Sequence, residues 1–430
     1  MRGLVYRRLI LLASAIFSPA LACSGGEDAS VPGADADAAA SDGAPSGSDA
    51  TRDEMSDAGS DATVDADADA ESRICSLDGF CHTQVPPNSV FRDLRLGGGT
   101  VFAIAWMNGP ADPWGQRKAL GGSLLRWDGA TWKTDHTEPG RLNAIWGSSP
   151  TDLWIGGDDG LFHATGTSPE SLDWTKVRSE PVTSIWGSGP NDVWAVGGGS
   201  IWSDNFAGKV LHYSGPAADG DGWEIDPISS STQMSFAKVW GTSPSDVWIG
   251  GVERTPDFLS YARVLRRRPD GNGGIAFSAN AMPPIGAAGY GEGSEVTGAG
   301  LIGSHVWVLG YMTDGNGVPN VWDVQFQGTP KTDGSGDFDW QRGTWGTCSF
   351  GCRGVVSARA VWGTNPNDAY VVGDNGYVRH WNGTSFSTVR ITITQLPVTA
   401  SFRAIAGTSN TDIWIVGDGI ALHKSGSNKP

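Results

Sequence analysis

The amino-acid sequence predicts an all-β protein, a closed ring of seven four-stranded antiparallel blades, and three observations predict it. First, one phrase keeps returning. It reads I-W-G-S-S-P-T-D-L-W-I-G-G from Ile145 to Gly157, I-W-G-S-G-P-N-D-V-W-A-V-G from Ile185 to Gly197, and V-W-G-T-S-P-S-D-V-W-I-G-G from Val239 to Gly251. Two further copies run from Val361 to Gly373 and from Ile405 to Gly417. Self-similarity at a period of about 40 to 60 residues marks a repeat architecture. Second, each unit divides into four short strands. Third, the last unit lacks its fourth strand, and a matching segment lies at the other end of the repeats. Together these define a seven-bladed β-propeller over residues 75–430, closed by an N-terminal strand.

The chain begins with a targeting pattern. Arg2, Arg7 and Arg8 precede an apolar stretch from Leu9 to Leu21, and Ala20-Leu21-Ala22 stands before Cys23. The apolar stretch is shorter than the ~20 residues that span a bilayer. A small residue just before a cysteine resembles the lipobox of bacterial lipoproteins, although Ala20 stands where Leu is usual. The resemblance implies that Cys23 becomes the lipidated first residue of the mature chain. Ser24 follows it, which in that family favours the outer membrane. The alternative is an ordinary secretory signal over residues 1–22.

Residues 24–74 are Ala, Asp, Ser and Gly with almost nothing to bury. They hold fourteen acids, Glu27 through Glu71, against Arg52 and Arg73, and so carry −12 of the formal −17. Low hydrophobicity with like charge predicts a disordered tether. The basic start carries +3, so the remaining domain is mildly acidic. That excludes nucleic acid as a partner class, because a phosphate backbone needs a basic face. Of five cysteines, Cys23 takes the lipid. Cys75/Cys81 and Cys348/Cys352 read as two local disulfides in an exported chain. Neither pair has C-x-x-C spacing, which disfavours zinc.

The sixth unit shows the blade most clearly. Ala358 to Gly363 reads as strand a, Ala369 to Gly373 as b, Tyr377 to Trp381 as c and Ser385 to Ile391 as d. Asn365-Pro366-Asn367-Asp368 joins a to b, where proline presets φ and the Asx residues favour a type I turn. Asn382-Gly383 joins c to d as a hairpin signal. Units begin near Phe91, Leu142, Val182, Phe236, Glu295, Ala358 and Phe402. The last stops after Ala421-Leu422-His423, without a strand d. The run Gly79 to Gln84, then Pro86-Pro87 and Phe91-Arg92, parallels Ser385 to Arg390, then Pro397 and Phe402-Arg403. Residues 79–84 therefore supply the missing strand. Closure removes exposed sheet edges.

The chain holds 20 tryptophans. Trp146, Trp186, Trp240 and Trp362 end strand a. Trp154, Trp194, Trp248, Trp307 and Trp414 occupy strand b, and Trp132, Trp174, Trp223 and Trp340 strand d. Recurrence in register points to packing between blades, with a sugar platform repeated in each blade as the alternative. The phrase resembles that of bacterial exported seven-bladed propellers with W-G-[ST]-x-P-x-D-[VI]-W-x-V-G repeats. More distantly it is similar to the tectonin propellers, which include carbohydrate-binding lectins. Five units carry the resemblance clearly and two weakly, and it speaks for fold, not function.

The repeated acids Asp152, Asp192, Asp246, Asp368 and Asp412 follow the a–b turn and read as backbone caps. His163, His212, His380 and His423 share one strand-c register, with Arg126 and Arg266 in the same place, and read as packing or surface residues. A candidate calcium loop runs through Asp333, Asp337 and Asp339; two Asp-Gly-rich loops, 219–222 and 314–317, are weaker cases. There is no G-x-S-x-G, no H-E-x-x-H and no P-loop. Arg266-Arg267-Arg268 is a contiguous run, not three arginines converging from separate blades.

Loop length breaks the repeat. The b–c excursions Asn108–Gly122, Gly198–Lys209, Val252–Arg263 and Tyr311–Asn320 are long, as are the d–a connections Pro283–Ser294 and Thr347–Ser357. Long loops on a rigid scaffold are where binding resides. The candidate ligand-binding residues on them are Trp114, Arg117, Trp202, Asp204, Phe206, Arg254, Asp257, Phe258, Tyr261, Tyr290 and Tyr311. Asn205 and Glu292 accompany them. The expected function is a non-enzymatic binding or scaffold module at the cell envelope, taking a protein or a glycan and needing no cofactor. The alternative is a propeller enzyme cleaving polysaccharide, which would need two carboxylates about the scissile bond.

Overall fold

The computed structural model describes residues 75–199, 206–218, 220–254, 260–270, 273–279, 282, 295–313, 321–344, 358–393 and 396–426. Among them are seven four-stranded antiparallel sheets. Strands a of blades 1 to 7 are Ser89–Gly97, Leu142–Ser149, Ser184–Gly189, Met234–Ser243, Glu295–Ile302, Ala358–Asn365 and Phe402–Ser409. Each strand a contacts strand a of the next blade, and that of blade 7 contacts that of blade 1. The ring is closed.

Closure uses the N-terminal strand. Phe80–His82 pairs antiparallel with Ile420–Ser425, Phe80 opposite Lys424 and His82 opposite Leu422. The Thr83 amide extends the ladder to the Ala421 carbonyl at 2.9 Å. Phe80 is buried in the apolar cluster that joins blades 6 and 7. Cys75 and Cys81 form a disulfide beside this strand. Cys348, Cys352 and Cys23 lie outside the described residues.

The W-G phrase has a geometric cause. A Cβ on Gly241 of blade 4 would lie 2.7 Å from the Trp186 ring of blade 3. Gly187 stands in the same relation to Trp146, and Gly407 to Trp362, each at 2.7 Å. In these three pairs the strand-a tryptophan of one blade lies against the glycine of the next, which also faces its own blade's aspartate carbonyl, so any side chain would collide. Blade 1 has Arg95 in place of that tryptophan, and Arg95 Nε donates to the Gly147 carbonyl at 3.0 Å.

The strand-b tryptophans Trp154, Trp194, Trp248, Trp307 and Trp414 are at most 2% exposed, which rules them out as a sugar platform. Each meets an aromatic of the next blade's strand d. Trp154 packs edge-on to Trp223 at 5.3 Å, Trp194 to Phe277 at 5.7 Å and Trp414 to Trp132 at 5.5 Å.

The repeated aspartates are structural, but not as backbone caps. In blade 3, Asp192 accepts from Ser188 Oγ at 2.5 Å, from Trp194 Nε1 at 3.2 Å and contacts His212 Nε2 at 2.7 Å. His212 in turn stacks on Trp194, centroids 3.9 Å apart. The Asp–His pair recurs as Asp152–His163, Asp368–His380 and Asp412–His423, each histidine stacked on the strand-b aromatic. In blade 4 Arg266 takes the histidine's place, 2.6 Å from Asp246 and over Trp248. Each blade of this kind thus pins strand c to the a–b turn through one carboxylate. Burial pushes Asp192 up, but hydrogen bonds from His212 and Ser188 outweigh it and leave the carboxyl below its usual range.

Two expectations need correction. Strand d of blade 6 is only Phe386–Thr388, followed by a small hairpin of Thr392–Ile393 and Leu396–Pro397. The b–c excursions are less loop than ladder. In blade 1 the strands run out to Ala111 and resume at Arg117, and in blade 4 they run to Arg254 and resume at Ser260. Continued pairing satisfies backbone groups that a free loop would leave to water.

Candidate functional site

The b–c and d–a connections share one face of the ring, where every strand a begins. The first residues of these strands carry a feature that the repeat conceals. Registers slip by one residue between Phe91 and Asp93, Leu142 and Ala144, Phe236 and Lys238, Val296 and Gly298, Ala358 and Ala360, and Phe402 and Ala404. Six blades thus place a β-bulge at the same level, and a bulge re-aims its residue. The bulged residues are Arg92, Asn143, Ala237, Thr297, Arg359 and Arg403. In blade 3 the equivalent position is Thr183.

Most of these residues join neighbouring blades. Asn143 Nδ2 donates to the Val182 carbonyl at 3.2 Å, Thr183 Oγ1 to that of Phe236 at 3.1 Å and Thr297 Oγ1 to that of Ala358 at 2.6 Å. Three consecutive blades, 6, 7 and 1, carry arginine instead. Arg359 Nη2 reaches Asp374 at 2.7 Å, and Arg403 reaches Asp374 at 3.2 Å and Asp418 at 2.8 Å. Both acids sit on b–c turns. Three arginines do converge from separate blades, then, but they are Arg92, Arg359 and Arg403, not the run at 266–268. Arg266 and Arg268 bond across to the blade 5 strand c–d turn, at the Gly336 carbonyl and at Asp337. In sequence, the only sign of this cluster is the Phe91-Arg92 and Phe402-Arg403 parallel that places the clasp. The signal was available in that register.

Arg92 differs from the other two. Its guanidinium carbon lies 4.2 Å from the centre of the Trp106 ring. Its Nε is buried and has no hydrogen-bond partner among the described residues. Burial, with Arg403 and Arg359 close by, pushes its pKa down to about 10. Trp106 Nε1 donates to the Leu142 carbonyl at 2.7 Å, doing for blade 1 what the bulge residue does elsewhere. Arg141 lies 4.6 Å from the centre of the same ring. One level below, Asp93 accepts from the Leu94 amide at 2.9 Å and the Ile145 amide at 3.0 Å. Burial raises Asp93 and lowers Lys238, while each carries the other's opposing charge.

The expected loop residues are scattered. Trp114 is 87% exposed at the tip of the blade 1 hairpin, where Asp112 accepts from the amides of Trp114 and Gln116. Arg117 donates to Asn88 and to the Gly109 carbonyl. Phe206 is only 3% exposed, with the Arg254 guanidinium 4.7 Å above its ring; it belongs to the core. Tyr261 is half-buried opposite Glu253. Tyr311 stands opposite Glu295; burial first, then its hydrogen bond to Glu295, raises the phenol well above its usual range. A phenol so held stays protonated and is a poor nucleophile. Trp202, Asp204, Asp257, Phe258 and Tyr290 lie outside the described residues.

The calcium loop is otherwise occupied. Asp333 accepts from the Ser335 amide at 2.9 Å and hydroxyl at 2.6 Å, and Asp337 pairs with Arg268 at 2.5 Å. Among the described residues no three acidic, histidine or cysteine side chains gather as a metal set. Loops 219–222 and 314–317 lie partly or wholly outside those residues.

Comparison with known proteins agrees with the fold. No protein-family model matches the chain, and no curated protein matches it. Solved structures do. The extracellular domain of the hybrid two-component system BT4673 from B. thetaiotaomicron aligns at 13% identity and TM-score 0.52, over 80% of this chain and 39% of that one. PorZ, a surface component of the type-IX secretion system of Porphyromonas gingivalis, aligns at 11% identity and TM-score 0.51, over 80% and 48%. The WD40 repeats of RRP9 align at 11% identity and TM-score 0.50, over 82% and 99%. At such identities the likeness concerns fold alone. The molecule is a seven-bladed β-propeller.

Proposed function

We propose that this propeller is a non-enzymatic binding module of the bacterial cell envelope. It would be held at the outer membrane by lipid on Cys23 and the acidic tether 24–74, and would bind a protein partner on its b–c face. The observation that carries this reading is the asymmetry of the two faces. One face repeats a single turn in five blades, each locked by an aspartate to the hydroxyl four residues before it, as in Ser188–Asp192 and Thr364–Asp368. The other carries the unrepeated hairpins, the exposed Trp114 and the arginine cluster. A repeated turn answers a need of the blade, whereas unlike extensions answer none and cost entropy to order. Aromatic and arginine side chains are the types enriched where proteins meet.

Polysaccharide cleavage is the weaker reading. Asp374 and Asp418 at the mouth are each held by arginine, and a general acid and base need freer carboxylates.

Two measurements test the proposal. Cys23→Ser should release the protein from the membrane fraction and abolish labelling with a fatty-acid probe; unchanged fractionation with an unlabelled wild type would refute the anchor. Purified residues 75–430 should retain envelope proteins under cross-linking, and Trp114→Ala should lower that capture. A glycan array positive in place of protein capture would transfer the site to a sugar.

A further inference from the structure

We infer that the channel mouth beside Trp106 is a receptor for a carboxylate group, gripped by Arg92 and Arg141. Arg92 is half-buried, and its Nε has no hydrogen-bond partner among the described residues. Burying a guanidinium donor without a partner is costly. Arg359 and Arg403 have their carboxylates. Arg92, in the same bulge position of the adjacent blade, forms no ion pair with a carboxylate among the described residues, and its buried Nε has no hydrogen-bond partner there. The bulge holds Arg92 where its counterparts close the ring with short donors, yet Trp106 has taken over that bond. Arg92 is therefore not needed for closure.

Arg141 supplies the second half. It enters from blade 2, exposed, and packs on the same indole. It too pairs with no carboxylate among the described residues. A guanidinium presents a fork of donors to a planar oxyanion, and two of them pack on this one indole. The surroundings set the ligand's charge. Asp374 and Asp418 bond the neighbouring arginines, Asp158 bonds Asn143, and Asp93 lies one level down. The domain as a whole is acidic. A doubly charged phosphate would meet about twice the repulsion that a single carboxylate meets. The carboxylate could belong to an acidic protein segment, as the binding reading above suggests, or to an acidic sugar.

The inference rests on that reading only for the carrier. Thermal unfolding of residues 75–430 is followed in sodium acetate against sodium chloride at equal ionic strength. Acetate at ten times its dissociation constant should raise Tm by about 2 °C beyond chloride. Arg92→Gln should keep the Tm in chloride at or above wild type, because it removes a buried donor with no partner among the described residues, and should abolish the acetate increment. Arg141→Gln, a surface change, should reduce the increment without altering the fold, and so serves if the first variant does not express. No excess over chloride, or an excess that survives both substitutions, overturns the inference. An acidic tetrapeptide and glucuronate then compete with acetate, and the tighter one identifies the carrier. Acetate binding with no captured protein would sink the partner proposal while leaving this site standing.

Discussion

Replacing Trp194 with Ala isolates what holds adjacent blades together. The indole is fully buried, stacks on His212 at 3.9 Å, meets Phe277 of blade 4 edge-on at 5.7 Å and donates to Asp192 at 3.2 Å. Arg267 covers its ring at 5.1 Å. Its neighbours Val196, Val210, Met234 and Phe236 belong to laddered strands that cannot close over a void. Truncating a large buried aromatic costs about 3–5 kcal/mol, and a site that cannot collapse lies at the upper end. A domain of about 350 residues unfolds with an entropy near 0.7 kcal/mol/K, so Tm should fall by about 5–7 °C. Trp114→Ala, with its indole almost wholly in solvent, should shift Tm by less than about 1 °C. Phe206→Ala groups with Trp194, because that ring is buried, and should cost about 3 kcal/mol. Scanning calorimetry, with guanidinium unfolding as a second probe, reads all three. The reasoning fails if Trp194→Ala costs under about 1 kcal/mol, or if Trp114→Ala matches it.

Other outcomes follow from the same geometry. Gly241→Ala should destabilise by about 1–3 kcal/mol, since its Cβ meets the Asp246 carbonyl and the Trp186 ring, each at 2.7 Å; combined with Trp186→Leu the loss should be less than additive, because the ring's share of the clash is gone, and additivity would refute the socket. Removing residues 75–84 should lower the unfolding midpoint and make residues 420–425 exchange amide hydrogens faster; unchanged protection there would mean the clasp is dispensable. Asp152, Asp192 and Asp368 are depressed on balance, as their hydrogen bonds outweigh burial. Their stabilisation is complete above the unfolded carboxylate pKa of about 3.9 and is lost as pH falls through the lower folded values. Asp192→Asn should therefore flatten the acid limb of a stability–pH profile, and a limb of unchanged steepness would remove the carboxylate from the account.

Much of this protein was legible in one dimension because a repeat states its needs several times. The glycine of the W-G pair recurs since a side chain there would strike its own blade's aspartate carbonyl, and in three blades the preceding blade's indole as well, and the turn ending in aspartate recurs since five blades use the same lock. The missing fourth strand could be found because Phe80-Cys81-His82 fits the gap left after His423. What repetition could not convey was the partner of each repeated group. Asp192 was readable as structural, but not that it joins Ser188 to His212, twenty residues on. Phe206 looked like a loop aromatic until Arg254 of the next blade closed over it. The arginine mouth needed tertiary structure for a further reason. Arg92, Arg359 and Arg403 lie hundreds of residues apart at the extremes, and only ring closure brings blade 1 beside blade 7. A local pattern is dictated by backbone geometry within a blade and shows in its own letters. A site on the channel is a sum over blades, and its charge balance exists only once the ring has shut.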